Sequence, residues 1–438
     1  MDNLLLRLLT SRVRPIRVGV AGAGRFSTGL VIQAARMKGM RISVVYDVNP
    51  SYAADMYMAA GFDRNEIKTA DSRPDIQAGI EAGKPVIAMN PYDMLSCDLD
   101  VIVDATGLPV FGAQFAYEAL RHKKHVVMVN IEADVGIGAA LRSVAEQEGV
   151  VYTLADGDQP SLAKGLYDWA RTLGFDVPVL GKWMTVHSQE EIERRLNDRD
   201  AMRDTDIAYW DGSKYQIEMA CIANMTGYVP DIPGMHKPQV QLSQIPEVFR
   251  LRKEGGVLHR HGVVDVVDFR ENGDVSHDHL NGGVFVVTGS SDPFVQRQLR
   301  DKGIPMSSDG SQGIIYRAHH FVGMETPISI AKAVLLGEAT GSPQLKATSD
   351  VVAVAKRHIK AGEALDGMGG DRVRAHLVAA VGSTPEDGLP YALAQNVIAG
   401  VDIPKGAIIT YGMLRERGSD FIWRLRDMQD GRQQTAGP

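Results

Sequence analysis

"IRVGVAGAGRFSTG", residues 16–29, decides how this chain begins. An Ile- and Val-rich run of strand type stops at Gly22. Gly24 follows, and from Arg25 the spacing suits a helix. Strand, glycine turn and helix in that order present the unpaired N–H groups of a helix N-terminus to whatever lies in front of them. Gly22 permits the tight turn, and Gly24 a close backbone approach to a pyrophosphate. The third position of this G-x-G-x-x-G pattern holds Ser27. Gly22, Gly24, Arg25, Phe26 and Ser27 are therefore the expected first contacts of a dinucleotide. Alone, the pattern is weak. It gains weight from the next strand, "ISVVYD" (42–47), which ends at Asp47, 23 residues after Gly24. An acid there hydrogen-bonds a ribose 2′-OH and repels a 2′-phosphate, which favours NAD. Arg25 suits a 2′-phosphate, so NADP stays open.

Further along, "VIAM" (86–89), "DVIVDATG" (100–107), "HVVMVN" (125–130) and "VVYTLAD" (150–156) read as strands. "FGAQFAYEALRHKK" (111–124) and "GAALRSVAEQEG" (138–149) fit helices between them. Continuous Val/Ile runs indicate a sheet covered on both faces. Residues 1–156 are thus expected to form an α/β Rossmann domain with a parallel sheet. Ligands of such sheets lie beyond the carboxyl ends of the strands. That places Thr106, Gly107, Asn130 and Glu132 near a nicotinamide ring.

The 438 residues, 23% charged and 44% hydrophobic, have the balance of a soluble globular chain of two or three domains. A net charge of −7 with no basic stripe argues against a nucleic-acid partner. Cys97 and Cys221 lack metal spacing and fit a reducing compartment. "MDNLLLRLLTSRV" (1–13) is Leu-rich but interrupted by Asp2 and Arg7. It reads as a short helix packed on a neighbour, not as a signal peptide. No run approaches the ~20 apolar residues of a membrane span. The expectation is a cytoplasmic protein that binds a small molecule and assembles as a homodimer or larger homo-oligomer.

Residues 157–345 mix helices such as "SLAKGLYDWARTLG" (161–174) and "TPISIAKAVLLG" (326–337) with strand-like stretches. "GGVLHRHGVVDVVDF" (255–269) and "GGVFVVTG" (282–289) suggest an antiparallel sheet, so a central α+β catalytic and dimerisation domain is expected. "ADGDQPS" (155–161) brings Asp156 and Asp158 together at a strand end, where they cap the next helix or hold a divalent cation. Asp158 is the candidate for substrate or metal. "YRAHHFVGMETP" (316–327) gathers Tyr316, Arg317, His319, His320 and Glu325. Arg317 suits a phosphate or carboxylate, and His320 or Glu325 a proton transfer. His277 and His279 in "SHDHL" read as a solvated loop. After the linker "GEATGSPQLKATS" (337–349), residues 346–438 form a third, mostly β segment with a weak repeat. "AKRHIKAGEALD" (355–366) and "AGVDIPKGAIIT" (399–410) align at an offset of 44, each reading as strand, turn at Gly, strand.

The helix expected over "DGSKYQIEMACIAN" (211–224) is apolar on nearly every side, yet carries Lys214 and Glu218 four residues apart. An apolar helix is normally buried. A solvated surface pair contributes little. Two charges carried into a dry place need each other, and function is the usual reason for them. Lys214 is then a proton donor to a developing alkoxide, Glu218 its orienting partner, and Asn224 a hydrogen-bonding group for substrate hydroxyls.

"GAGRFSTG", "DVIVDATG", "VMVNIEADV", "DGSKYQIEMACIANMTGYVPDIPGMH", "YRAHHFVGMETPISIA" and "VAKRHIKAGEALD" together resemble a known group. It comprises homoserine-dehydrogenase-like oxidoreductases with a C-terminal SAF domain, among them the deoxyxylulose-phosphate reductoisomerase-like enzymes. The resemblance implies an NAD(P)-dependent dehydrogenase or reductase and a SAF-like domain over 346–438. The reductoisomerase-like members have a Lys/Asn-rich stretch where this chain reads "GKWMTVHSQEEIERR", keeping Lys182, and they end the second strand without an acid. The first expectation is oxidation or reduction of a small polyhydroxylated compound, with or without a phosphate. The second is conversion of 1-deoxyxylulose 5-phosphate to methylerythritol 4-phosphate, for which a divalent metal on Asp158 and Glu218 would serve. A third, of another class, is a non-catalytic carbohydrate-binding or sensor protein.

Overall fold

The computed structural model describes residues 2–188, 190–191, 204–268, 270–271, 274–275, 282–380 and 388–432. The chain groups into two compact units, each built from separated segments.

The first unit comprises residues 1–161, 321–345 and 420–438. Its core is a seven-stranded parallel sheet of β1 (Ile16–Ala21), β2 (Met40–Tyr46), β3 (Lys68–Ala70), β4 (Val86–Ala88), β5 (Val101–Asp104), β6 (His125–Met128) and β7 (Tyr152–Leu154). The order is β3-β4-β2-β1-β5-β6-β7. This is the Rossmann-type arrangement expected, with β1 at the centre and the chain reversing direction across the sheet on either side of it. The Val and Ile runs are buried on both faces, with Val18, Val20, Val101 and Val103 fully inaccessible. The short strand β3 was not expected: its "KTA" lacks the apolar run that marks the others. The helix expected over 138–149 begins earlier, at Ile131, where Asn130 caps it by accepting from Ala133 N–H.

Distant parts of the sequence complete this unit. Leu5 and Leu9 of the helix Asp2–Thr10 are buried, and the helix packs on Thr326–Leu336. Gly323 has φ 73, and a Cβ there would strike the Phe26 carbonyl, so the loop 321–325 seats directly on the first turn of Arg25–Ala34. The helix Phe421–Gln429 lies against Pro109–Arg121 and Ile131–Glu148. Tyr117 and Phe421 meet edge to face at 4.9 Å, and Arg426 donates to the Gly136 carbonyl.

The second unit comprises residues 162–320 and 346–419. A mixed sheet runs in the order β14-β13-β8-β10-β9. Its strands are β8 (Asp176–Met184), β9 (Val229–Pro230), β10 (Val263–Asp268), β13 (Val284–Gly289) and β14 (Gln312–Arg317). A two-residue hairpin of β11 (Arg270–Glu271) and β12 (Asp274–Val275) stands apart from it. The antiparallel sheet expected from 255–269 and 282–289 is therefore only half antiparallel. β13 runs antiparallel to β8, but β10 runs parallel to it. The cause is the connection: the chain between β8 and β10 contains the helix Ser213–Thr226, and such a crossover returns the strand in the same direction.

That helix packs on β10 and on the antiparallel pair β15 (Ser349–Ala355) and β17 (Val373–Ala379). Residues 346–419 thus group with the second unit and 420–438 with the first. A second pair, β16 (Ala364–Asp366) and β18 (Gln395–Ile398), is formed by the repeat region. The repeat is an internal pseudo-dyad. Ile359 and Ile403 exchange both backbone hydrogen bonds. Gly406 N–H bonds Ala355 O while Gly362 N–H bonds Ala399 O. Ala355 N–H bonds Ala407 O while Ala399 N–H bonds Glu363 O. Each bond maps onto its partner by the offset of 44, so the two copies are each other's pairing surface.

Candidate active site

In the first unit, the ends of β1, β2 and β5 enclose a cavity of about 200 Å³ lined by Gly22, Gly24, Asp47, Thr106, Leu108 and Phe111, among others. Gly22 has φ 97, and a Cβ there would lie 2.6 Å from the Ala105 carbonyl oxygen, so the fold itself demands glycine. Gly24 is different. Its φ of −86 is ordinary and a Cβ would meet nothing within 4 Å. Gly24 is the N-cap of the helix that follows, and its bare backbone leaves the cavity open beside it. The N-terminus of Arg25–Ala34 opens at the same place, and no acidic side chain occupies its first turn. These residues fit a dinucleotide pyrophosphate.

Asp47 lines this cavity and also braces it. One carboxylate oxygen accepts from Ala23 N–H at 2.7 Å, the other from Asn49 N–H at 2.9 Å. Ser27 is buried and donates to the Gly22 carbonyl at 2.6 Å, closing the turn from within. Phe26 packs against the apolar core, and Arg25 is exposed. Thr106 lines the cavity and is held by Asp104, which accepts from both its N–H and its hydroxyl. Gly107, at φ 66, continues that turn. Asn130, expected beside the nicotinamide, is 1% exposed and serves as a brace. Its amide donates to Leu108 O at 2.9 Å and Asp104 at 3.2 Å while its oxygen caps the next helix. Glu132 is buried in that helix's first turn. Burial raises the Asp104 carboxyl to about 6, against the hydrogen bonds from Thr106 and Asn130 that pull it down.

In the second unit, Ser213–Thr226 is capped by Gly212 and Gly227, both left-handed, and nearly every side chain on it is buried. Glu218 sits between two lysines. Its Oε2 pairs with Lys182 of β8, whose side chain is 1% exposed. Its Oε1 lies 3.9 Å from Lys214, 31% exposed. The expected i,i+4 pair is therefore the longer half of a Lys–Glu–Lys row, and the tighter partner comes from another element. Sequence reasoning noticed Lys182 only as a retained residue. The signal was present: it is the one charged side chain inside the apolar stretch 177–184.

Residues 29–155 match the NAD-binding domain of homoserine dehydrogenase, and residues 157–326 match the catalytic domain of the oxidoreductase DRL. The chain is thus similar to the NAD-binding domain of one oxidoreductase family and to the catalytic domain of another. No curated protein matches it in sequence. Among solved structures, a 3-ketoreductase from Actinomadura kijaniata, in complex with TDP-benzene and NADP, is 18% identical over 40% of this chain, with a TM-score of 0.28. The alignment spans 49% of that chain, about half its length. The scyllo-inositol dehydrogenase of Lactobacillus casei, with NAD(H) and scyllo-inositol, is 13% identical over 69% of this chain and 76% of its own, with a TM-score of 0.38.

The second unit also holds a basic cavity of about 400 Å³, whose lining includes Lys237, Lys356, Arg357, Arg374 and Lys405. Asp211 and Asp371 are the only negative side chains among the described residues of that lining. Asp211 is engaged by Lys356 at 2.8 Å and Arg357 by Glu363 at 2.9 Å. Lys237 and Arg374 have no ion pair among the described residues. Burial, then the Arg374 charge, pulls the Lys237 ammonium down despite Asp265. Burial and the same two cations push His376 down to about 4. Cations gathered in a hollow attract anions. The N-terminus of Ser213–Thr226 opens at Gly212 on the same wall.

The remaining expected residues fall elsewhere. Asn224 does not offer its oxygen to a substrate: it is 3% exposed and accepts from Thr348 N–H and Ser349 N–H, each at 3.0 Å, fixing the start of β15. Asp158 accepts from Gln159 N–H at the start of the helix Gln159–Thr172, in the helix-end position expected. It belongs to the first unit and Glu218 to the second. The stretch 316–327 is divided at 320/321 between the units. Arg317 ends β14, exposed, and His320 is partly buried. His277 and His279 lie outside the described residues. Among the described residues, no helix is long and apolar enough to cross a membrane.

Proposed function

We propose that the protein interconverts a carbonyl and a hydroxyl group on a small polyhydroxylated substrate that bears an anionic group, with NAD preferred over NADP. The observation that carries this reading is the buried Lys182–Glu218 pair with Lys214 beside it, inside the span that matches an oxidoreductase catalytic domain. A bound nicotinamide supplies or accepts the hydride. Reduction builds negative charge on the carbonyl oxygen, and a positioned ammonium both stabilises that charge and gives it a proton. Lys214 is the exposed member of the row and takes that role. Glu218 orients it, and Lys182 anchors Glu218. In the reverse direction, Lys214 receives the hydroxyl proton. Lys237 and Arg374, without an ion pair among the described residues, support a phosphate or carboxylate on the substrate. Asp47 at the cavity edge supports NAD.

A reductoisomerase reading, 1-deoxyxylulose 5-phosphate to methylerythritol 4-phosphate, is supported by the match of 157–326 and by Lys182. The proposal further includes a SAF-like character for the repeat region, a homodimer or larger homo-oligomer, and a cytoplasmic site of action. The test follows nicotinamide absorbance with a panel of polyols, polyol phosphates and 1-deoxyxylulose 5-phosphate, for wild type and Lys214→Met. Turnover on a polyol or polyol phosphate that is lost in the variant supports the first reading. Turnover on 1-deoxyxylulose 5-phosphate alone supports the second. Binding of these compounds with no turnover on any would replace both with a sensor.

A further inference from the structure

Asp231 follows β9, His236 comes five residues later, and His259 leads into β10. None of the three was singled out as a site residue by the sequence. In the fold, His236 Nε2 lies 2.7 Å from Asp231 Oδ2, and His259 Nδ1 lies 2.9 Å from the same oxygen. One ligand-type atom from each residue falls within 4.8 Å of the other two. Zinc-type bonds of about 2.0–2.2 Å put neighbouring donor atoms about 3 Å apart, so the spacing suits a shared cation.

Two further observations separate this cluster from an ordinary hydrogen-bonded knot. The Asp231 side chain is wholly buried, and its Oδ1 has no hydrogen-bond partner. The two imidazoles and the His259 N–H account for Oδ2 alone. Buried carboxylate oxygens are rarely left so. The backbone around His236 is also forced: Met235 and Lys237 have φ of 70 and 54, in the left-handed region that side chains avoid. The buried Asp265 carboxylate holds this loop by accepting from His236 N–H and Lys237 N–H, at 3.0 and 2.9 Å. His259, with its side chain 47% exposed, leaves the cluster open to solvent on one side.

We propose that Asp231, His236 and His259 form a binding site for a divalent first-row transition cation of the Zn²⁺ class. Two imidazoles and one carboxylate are the donors such ions prefer, whereas Mg²⁺ and Ca²⁺ favour oxygen alone. Three protein ligands leave coordination positions free on the exposed side, as in metal sites that hold water or substrate. The site rests on these residues and not on the Lys–Glu–Lys row, so it stands or falls separately from the oxidoreductase reading.

The experiment is calorimetric titration of the chelator-treated full-length protein with ZnCl₂, and separately with MgCl₂. It is repeated for His259→Ala, Asp231→Asn and the control His261→Ala. The expected result is one Zn²⁺ per chain with a dissociation constant below about 10 µM. It weakens at least tenfold in His259→Ala and in Asp231→Asn, and is unchanged in His261→Ala. Co²⁺ should give a visible absorption band that His259→Ala abolishes. Because His259 is half-exposed, its variant should melt like the metal-free wild type, and that melt checks its folding. Absence of saturable Zn²⁺ binding, equal affinity in wild type and His259→Ala, or binding of Mg²⁺ at least as tight as Zn²⁺ would overturn the proposal.

Discussion

At the scale of single residues, the two lysines of the Lys–Glu–Lys row should behave differently. Lys214 is reachable, so Lys214→Met should cut turnover by the ~10²–10⁴ of a lost general acid while leaving NAD affinity and melting temperature near wild type. Lys182 is sealed in, so Lys182→Met should instead destabilise the fold by ~3–5 kcal/mol, the cost of breaking a buried pair. Turnover assays and denaturant titrations on both variants make the comparison, and normal turnover in Lys214→Met would sink the mechanism. Asp47→Ser should raise NADP affinity relative to NAD. A wild type that already binds NADP tenfold tighter, about 1.4 kcal/mol, would show that Asp47 does not select the cofactor. Asp104 adds a pH dependence. Its folded carboxyl titrates at about 6, above the ~3.9 of an unfolded chain. The fold therefore prefers the protonated form. That contribution is complete below about pH 4 and is lost as pH rises through 6. Asp104→Asn stays neutral, so its melting temperature should gain on wild type between about pH 4 and about pH 6 and hold that gain at higher pH. A constant difference between those two values would mean that Asp104 does not titrate there.

At the scale of elements, what could be read from sequence was what is written locally. Strands of the first unit were legible because both faces are buried and the Val/Ile runs are unbroken. The exception, β3, is too short and too polar to announce itself. The burial of Ser213–Thr226 was legible from its apolar circumference, but the partner of Glu218 was not. Lys182 is 36 residues away on a strand, and only the fold brings it near. The direction of β10 was hidden for the same kind of reason: strand direction is set by what the chain does between strands. Asn224 shows the limit most plainly. A buried polar residue on the helix that carries Lys214 and Glu218 reads as a substrate ligand, yet its oxygen holds Thr348 N–H and Ser349 N–H. Asn224→Ala would leave two N–H groups without an acceptor, and a loss of ~1–3 kcal/mol for each is expected in denaturant titration. A change of under 0.5 kcal/mol would return Asn224 to the list of substrate ligands. The repeat was legible as a period but not as a symmetry, since twelve residues cannot show that each copy pairs with the other.

At the scale of the whole molecule, the first unit depends on both ends of the chain. The helix Phe421–Gln429 covers Pro109–Arg121 and Ile131–Glu148 through Tyr117, Gly136 and Ala140. Deleting residues 420–438 should therefore lower the melting temperature and weaken NAD binding, although none of the described residues among them lines the cofactor cavity. An unchanged melt would show that the helix is ornamental. The same arrangement sets a timetable during synthesis. At ~5–20 residues per second, roughly 13–50 s separate residue 161 from the C-terminal helix. For that interval the nascent nucleotide-binding unit has its central strands but not its last helix, and an apolar flank is left bare on the ribosome. Such a chain offers chaperones a long window. Codon choices that slow the final third should lower the yield of soluble protein more than equal slowing at the start.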